Sequence, residues 1–158
     1  MTGSRIFGRI AVGLLLALPL TPTASADEVS IAVAANFTDA TRDIVAAFEK
    51  ETGHTVKPSF ASTGKLYAQI THGAPFQVFL AADSARPAKA EAEGYAVPGS
   101  RFPYALGQLV LWSSTPGPFH DGPDFLRSGS FNHVAIANPK TAPYGLAAGQ
   151  VMETLGLR

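Results

Sequence analysis

The chain has 158 residues, of which 46% are hydrophobic and 15% are charged, and it contains no cysteine. This hydrophobic content is enough to bury a core and argues against a disordered chain, while the lack of cysteine excludes disulfides, thiolate metal sites and a thiol nucleophile. Twelve basic residues balance twelve acidic ones. No basic excess is therefore available to neutralise phosphates, which argues against a nucleic-acid-binding protein.

The first 26 residues have the pattern of a secretory signal peptide. Arg5 and Arg9 precede an apolar run over 10–20, and the small residues at 24–26 (ASA) form a cleavage pattern. A transmembrane anchor is the weaker alternative, because the run is about half the ~20 residues that span a bilayer. We therefore predict a signal peptide at 1–26 and a periplasmic protein. Without the two arginines, ten basic residues remain against twelve acidic ones, a formal charge of −2.

Strands and helices alternate in the predicted secondary structure after the signal peptide. Three short β-branched or apolar runs have the composition of buried strands, at 29–34, 55–60 and 78–81. Amphipathic spacing followed by glycine predicts three helices, at about 38–52, 62–73 and 84–93. This alternation is typical of a parallel sheet with right-handed crossovers, so we predict an α/β fold.

The pattern changes after Gly94. Apolar runs predict two further strands, at 104–112 and 134–137, and a Gly-, Pro- and Ser-rich stretch separates them. Within that stretch, residues 124–126 suggest a short helix. A loop over 138–145 and a final helix over 146–155 complete the predicted order.

Small hydroxyl and amide side chains follow three of the predicted strands, in the turns at 34–38, 60–64 and 138–145. Ligands of open α/β sheets bind beyond the carboxyl ends of the strands. Helix N-termini there present unpaired N–H groups and a partial positive charge, which can hold an oxyanion without a lysine or arginine. Ordinary helix capping explains any one of these turns, but their recurrence along one sheet favours a small-anion site.

Other motifs are weaker. The segment at 63–65 (TGK) is no phosphate-binding loop, because the required glycine five positions before Gly64 is replaced by Ser59. An exported serine hydrolase would use Ser62 with His72 and Asp83, but the chain has no G-x-S-x-G motif. The histidines lack the spacing of metal ligands, at 54, 72, 120 and 133. We therefore predict no cofactor and no direct protein ligand to a metal.

Four segments together resemble the periplasmic molybdate-binding proteins, the soluble substrate-binding components of ABC importers. They are 34–40 (AANFTDA), 59–66 (SFASTGKL), 73–83 (GAPFQVFLAAD) and 137–145 (ANPKTAPYG). The resemblance covers essentially all of 27–158 and implies a type II periplasmic-binding-protein-like fold, with two α/β lobes around a ligand cleft. We expect the first lobe at 27–102 and part of the second at 103–158.

The resemblance also implies a function and a site. Molybdate or tungstate would be bound as an oxyanion and delivered to a membrane permease by a monomer that is not an enzyme. Asn36, at a position that is often serine in the family, would lie in the first binding turn, and Thr63 would supply a hydroxyl in the second. Ser62 is its neighbour, and Tyr144 would offer its backbone N–H. A binding protein for sulfate or another small oxyanion, and the serine hydrolase, are the alternatives.

Length is the main departure from the family. Relatives continue well beyond the position equivalent to Gly156, through the rest of the second lobe and a return to the first. We therefore expect a C-terminally truncated chain in which the second lobe and the return are incomplete.

Overall fold

A three-stranded parallel sheet forms the centre of the protein. In the computed structural model, which describes residues 26–115 and 121–157, the strands are β1 (Glu28–Ala34), β2 (Thr55–Ala61) and β3 (Val78–Leu80). Their order is β2-β1-β3. Since β1 is the middle strand, its second half is fully buried. Pro58 lies in β2, an outer strand of the described sheet, where proline removes no hydrogen bond from the interior of the sheet.

Within the described ranges, five α-helices accompany the sheet: α1 (Thr38–Thr52), α2 (Thr63–Thr71), α3 (Ala85–Ala92), α4 (Gly122–Ser128) and α5 (Pro143–Thr154). A 3₁₀ turn at Ala35–Phe37 joins β1 to α1. Gly53 ends α1 in the left-handed conformation, with φ of 74°, which glycine adopts without steric cost. Its N–H donates to the Glu49 carbonyl at 2.9 Å.

The core lies between β1 and the helices that start beside it. Leu66 of α2 and Val33 of β1 are fully buried, together with two threonines, Thr41 and Thr63. Thr41 satisfies its hydroxyl locally by donating to the Phe37 carbonyl at 2.7 Å. A buried threonine at the start of a helix is unusual enough to require a partner, and the partner of Thr63 is described with the site.

Most predicted elements are confirmed. Helix α1 has the predicted bounds, and β1, β2, β3, α2 and α3 differ from prediction by at most two residues at either end. Helix α4 extends over Gly122–Ser128 around the predicted short helix. Helix α5 begins three residues earlier than predicted, because Pro143 has the fixed φ of a first helical residue and is well tolerated there.

The strands predicted at 104–112 and 134–137 are wrong: both segments lack regular structure. A strand is completed by hydrogen bonds to a neighbouring backbone, and no described residue pairs with either segment. The apolar composition of the two segments predicted the strands but cannot supply that neighbour. Leu106 is 98% exposed as a result.

The predicted signal peptide lies outside the described residues, apart from Ala26. Among the helices that the structure describes, none combines the length and the apolar character needed to cross a bilayer.

Candidate functional site

A cavity of about 520 Å³ lies beyond the carboxyl ends of the three strands. Residues that follow each strand line it, together with the turn that precedes α5. From the sheet come Ala34, Ala35, Asn36, Phe60, Ala61, Ser62, Thr63, Lys65 and Ala82; from the second part of the chain come Ala137, Asn138, Thr141, Ala142, Pro143 and Tyr144. The predicted location of the ligand site, at the strand-to-helix turns, agrees with this cavity.

Three helical N-termini meet at the cavity: those of the 3₁₀ turn, α2 and α5. The first N–H groups of a helix have no partner within the helix and carry a partial positive charge. Three such ends around one space create a favourable environment for an anion. Among the described lining residues, Lys65 alone carries a formal charge, so the positive potential at the cavity comes from Lys65 and from the backbone at the helical N-termini.

The hydroxyl of Ser62 is buried and forms no hydrogen bond within the described part of the chain. Ser62 precedes α2 with φ of −65° and ψ of 147°, yet its side chain does not cap the helix. The ordinary explanation for a serine at this position, capping, is therefore wrong for Ser62. A buried hydroxyl without a partner is costly, and a ligand in the adjacent cavity would provide one.

The hydroxyl of Thr63 is used differently. It accepts a hydrogen bond from the Ala82 N–H at 3.1 Å and thereby ties the start of α2 to the end of β3. Its own hydrogen is not needed for that contact, because a hydroxyl can accept and donate at the same time. Thr63 lines the cavity and is fully buried, so it has both a structural partner and a position beside the site.

Asn36 and Tyr144 lie on the other two sides of the cavity. The side-chain amide of Asn36 is exposed and forms no hydrogen bond to the residues that the structure describes. Tyr144 is the second residue of α5, and its backbone N–H has no acceptor among the described residues. All four predicted site residues, including Ser62 and Thr63, are thus brought to one cavity.

Tyr104 contacts residues that neighbour the cavity lining in sequence. Its hydroxyl donates to the Ala81 carbonyl at 2.8 Å, and its ring packs on Phe37 with centroids 5.1 Å apart. Burial raises the pKa of Tyr104, and the proximity of Tyr144 adds to the shift, so the hydroxyl stays protonated as this donation requires. The sequence does not indicate this role, because a tyrosine in an apolar run gives no sign of its hydrogen-bond partner.

Two glycines allow the first turn of α5 to approach its neighbours closely. A Cβ on Gly145 would overlap the Ala137 carbonyl, and a Cβ on Gly107 would overlap the Tyr144 hydroxyl. The turn before α5 is closed by Asn138, whose side-chain oxygen accepts from the Lys140 N–H at 2.9 Å. Asn138 and Thr141 line the cavity and were predicted only as parts of the turn, since their spacing alone does not show which way they face.

The geometry does not support a serine hydrolase. His72 lies at the other end of α2 from Ser62, with its Nδ1 atom 2.6 Å from the Ala68 carbonyl. Asp83 contacts Arg86 instead of a histidine. Because the Ser62 hydroxyl has no partner among the described residues, no base is in place to activate it. In the same part of the chain, no group of three or more His, Asp or Glu side chains could hold a metal ion.

The chain is similar to known molybdate-binding proteins. The chain is 54% identical over 154 residues to the molybdate-binding protein ModA of Azotobacter vinelandii, covering 98% of this chain and 59% of that protein. It is 54% identical over 147 residues to ModA of Rhodobacter capsulatus, covering 93% of this chain and 58% of that protein. The chain therefore spans about six tenths of the length of these relatives.

A solved structure, the periplasmic molybdate-binding protein of Azotobacter vinelandii, matches with a TM-score of 0.79 and 46% identity. The match covers 82% of this chain and 56% of that one. These similarities confirm the resemblance to molybdate-binding proteins and the predicted periplasmic-binding-protein fold with its parallel sheet. Residues 29–158 match the family described as bacterial extracellular solute-binding protein. The chain belongs to this family of solute-binding proteins.

Proposed function

We propose that the chain binds molybdate or tungstate in the periplasm and delivers it to the permease of an ABC importer. The observation that carries the proposal is the buried Ser62 hydroxyl, which has no partner among the described residues and lies at a cavity where three helical N-termini meet. The names of its relatives, which are molybdate-binding proteins, support the choice of ligand. The proposed activity is binding without catalysis or a cofactor.

In this proposal the oxyanion accepts hydrogen bonds from groups on all three sides of the cavity. Ser62 and Thr63 donate their hydroxyl hydrogens, Asn36 donates from its amide, and Tyr144 donates its backbone N–H. Hydrogen bonds to a charged group contribute about 1.5–3 kcal/mol each. No direct bond from a protein atom to molybdenum is required, since the metal is enclosed by its own oxygens.

The organisation of the chain follows from the same proposal. Residues 1–26 would be a cleavable export signal, residues 27–102 one lobe, and residues 103–158 part of the second lobe. The cavity lies between these two parts, because its lining comes from both. We propose that the protein acts as a monomer, which sedimentation velocity on the purified chain would test directly.

Isothermal titration of the purified chain with molybdate, tungstate and sulfate tests the proposed ligand. We expect molybdate and tungstate to bind more tightly than sulfate, because sulfate has the same charge and shape but shorter bonds and would leave part of the donor set out of reach. Tighter binding of sulfate would favour the alternative oxyanion, and no binding of any of the three would overturn the proposal.

The substitution Ser62→Ala tests the proposed site more directly than the titration does. The Ser62 hydroxyl is buried and has no partner in the described protein, so its removal should leave the free energy of unfolding unchanged or raise it by up to about 1–3 kcal/mol, while weakening molybdate binding about ten- to a hundredfold. Ser59→Ala is the matched control, because Ser59 is exposed on β2 and does not line the cavity. Equal molybdate affinities of the two variants would show that Ser62 does not contribute to the site. Ester hydrolysis by the unchanged chain that is lost in Ser62→Ala would support the serine hydrolase instead.

A further inference from the structure

Among the described residues, three Asp–Arg ion pairs join residues three positions apart, and the pairs differ in how exposed their side chains are. The pairs Asp39–Arg42 and Asp124–Arg127 lie on α1 and α4, with at least half of each side chain exposed. In the pair Asp83–Arg86, the carboxylate is 19% and the guanidinium 25% exposed. Exposed pairs contribute little to stability, so the enclosed pair at the start of α3 is the exceptional one.

Arg86 is held at a fixed position and reaches a different part of the chain. Its Nη1 atom lies 2.5 Å from Asp83 Oδ2, and its backbone N–H donates to Asp83 Oδ1 at 2.8 Å. The other guanidinium nitrogen, Nη2, donates to the Lys140 carbonyl at 3.5 Å. That carbonyl belongs to the turn at 138–142, part of which lines the cavity.

Gly64 makes a second contact to the same turn. Its backbone N–H donates to the Thr141 carbonyl at 3.0 Å, although 77 residues separate the two in sequence. A Cβ on Gly64 would lie 3.0 Å from the Thr141 oxygen and 3.2 Å from Arg86 Nη2. Glycine therefore permits the first turn of α2 to approach the turn at 138–142 this closely.

We propose that Arg86, held by Asp83, and Gly64 form a clasp that fixes the turn at 138–142 against the start of α2 and so sets the width of the cavity. The clasp joins two successive carbonyls, those of Lys140 and Thr141, to donors on the sheet side. Both Ser62 before α2 and Tyr144 after the turn depend on this distance to face one ligand. Arg86 and Gly64 are thus positioning residues for the proposed anion site, on which this inference rests.

The clasp can be tested without any ligand. The chain lacks cysteine, so Glu51→Cys and Gln150→Cys, at exposed positions in α1 and α5, would carry a pair of spin labels. We expect a narrow distance distribution in the otherwise unchanged chain and a broadened or longer one in Arg86→Ala and Gly64→Ala. Arg127→Ala, which breaks the matched pair on α4, should leave the distribution unchanged. Unchanged distributions in both clasp variants would overturn the proposal.

Molybdate release provides the second measurement. Without the clasp, the donors on the two sides of the cavity are held less firmly at the distance that one anion spans, so Arg86→Ala should release radiolabelled molybdate about three- to tenfold faster, with association changed by less than about twofold. Arg86→Lys keeps the charge but lacks the second donor nitrogen. Its rate of molybdate release should therefore lie between those of Arg86→Ala and the unchanged chain. Equal release rates in all variants would refute the clasp, whereas failure of the unchanged chain to bind molybdate would refute the proposed ligand and leave the label distances to judge the clasp.

Thermal melting followed by circular dichroism distinguishes loss of the clasp from loss of the fold. Arg86→Lys retains a cation beside Asp83, so it should melt close to the unchanged chain even if Arg86→Ala does not. Slower molybdate release in Arg86→Lys than in Arg86→Ala, at equal helix content, is the expected result. If the lysine variant behaves like the alanine variant in melting and like the unchanged chain in release, the proposed role of the guanidinium fork is wrong.

Discussion

Adjacent residues in this protein have different roles even though their chemistry is similar. Ser62 and Thr63 both carry a hydroxyl at the start of α2, but Thr63 binds the Ala82 N–H and Ser62 binds nothing in the described chain. The difference follows from the direction of each side chain at the helix start. The Thr63 hydroxyl therefore stabilises the fold in addition to its position at the cavity, while the Ser62 hydroxyl is available to a ligand alone.

Thr63→Val separates these roles. Valine has nearly the same shape but no oxygen, so the Ala82 N–H loses its acceptor in a fully buried environment. We expect a loss of about 1–3 kcal/mol in the free energy of unfolding, measured by urea denaturation. Thr71→Val on the same helix is the control, since its exposed hydroxyl donates to the Ala68 carbonyl and can be replaced by water. A loss no larger than that of the control would contradict the structural role.

Gly145→Ala tests the close approach behind α5. Its Cβ would overlap the Ala137 carbonyl, and inserting a methyl group into a packed position costs about 1–3 kcal/mol. Gly122→Ala is the matched control at the start of α4, where a Cβ would lie at an ordinary 3.7 Å from Leu111. The melting temperature should fall for the first variant and stay constant or rise for the second. Equal melting temperatures would contradict the packing at Gly145.

At the scale of elements, the sequence predicts the three-stranded sheet and its helices correctly. It also predicts two strands that the described residues do not form. β1 pairs with β2 over seven residues and with β3 over three. The segments at 104–112 and 134–137 have a similar apolar composition but no partner strand among the described residues. Composition specifies that a segment can pair, and the presence of a neighbour determines whether it does.

Hydrogen exchange gives the corresponding prediction. Backbone amides that are hydrogen-bonded in the core exchange only when much of the protein unfolds, and amides without hydrogen-bond partners exchange freely. We expect the amides of 31–34 in β1 to exchange slowest and those of 105–112 to exchange at nearly unprotected rates, as measured by mass spectrometry after pepsin digestion. Comparable protection in the two segments would show that 105–112 is paired in solution.

For the whole molecule, the apolar surface is unevenly distributed. Phe102, Leu106, Val110 and Trp112 are each at least 73% exposed and lie within eleven residues of one another. The buried core, by contrast, is concentrated around β1 and the start of α2. Contiguous exposed apolar patches are uncommon on soluble proteins, so the concentration of exposed apolar side chains in this segment is unusual.

Trp112 is a built-in probe of that surface, because it is the sole tryptophan of the sequence and is 76% exposed. We expect its emission to be close to that of a fully solvated indole. Acrylamide should quench it nearly as efficiently as it quenches N-acetyltryptophanamide, the reference for full exposure. A blue-shifted emission that resists the quencher would show that other residues or a second copy of the chain cover this segment.

The sequence by itself determined the order of the first elements, the strand-to-helix turns and the resemblance to molybdate-binding proteins. These depend on periodicity, on glycine and on short motifs, which are properties of neighbouring residues. Only the tertiary structure decided that Ser62 rather than Thr63 lacks a partner, that Arg86 reaches the Lys140 carbonyl, and that 104–112 forms no strand. The reason is physical: burial and hydrogen-bond partners depend on groups far apart in the chain, whose positions local patterns do not specify.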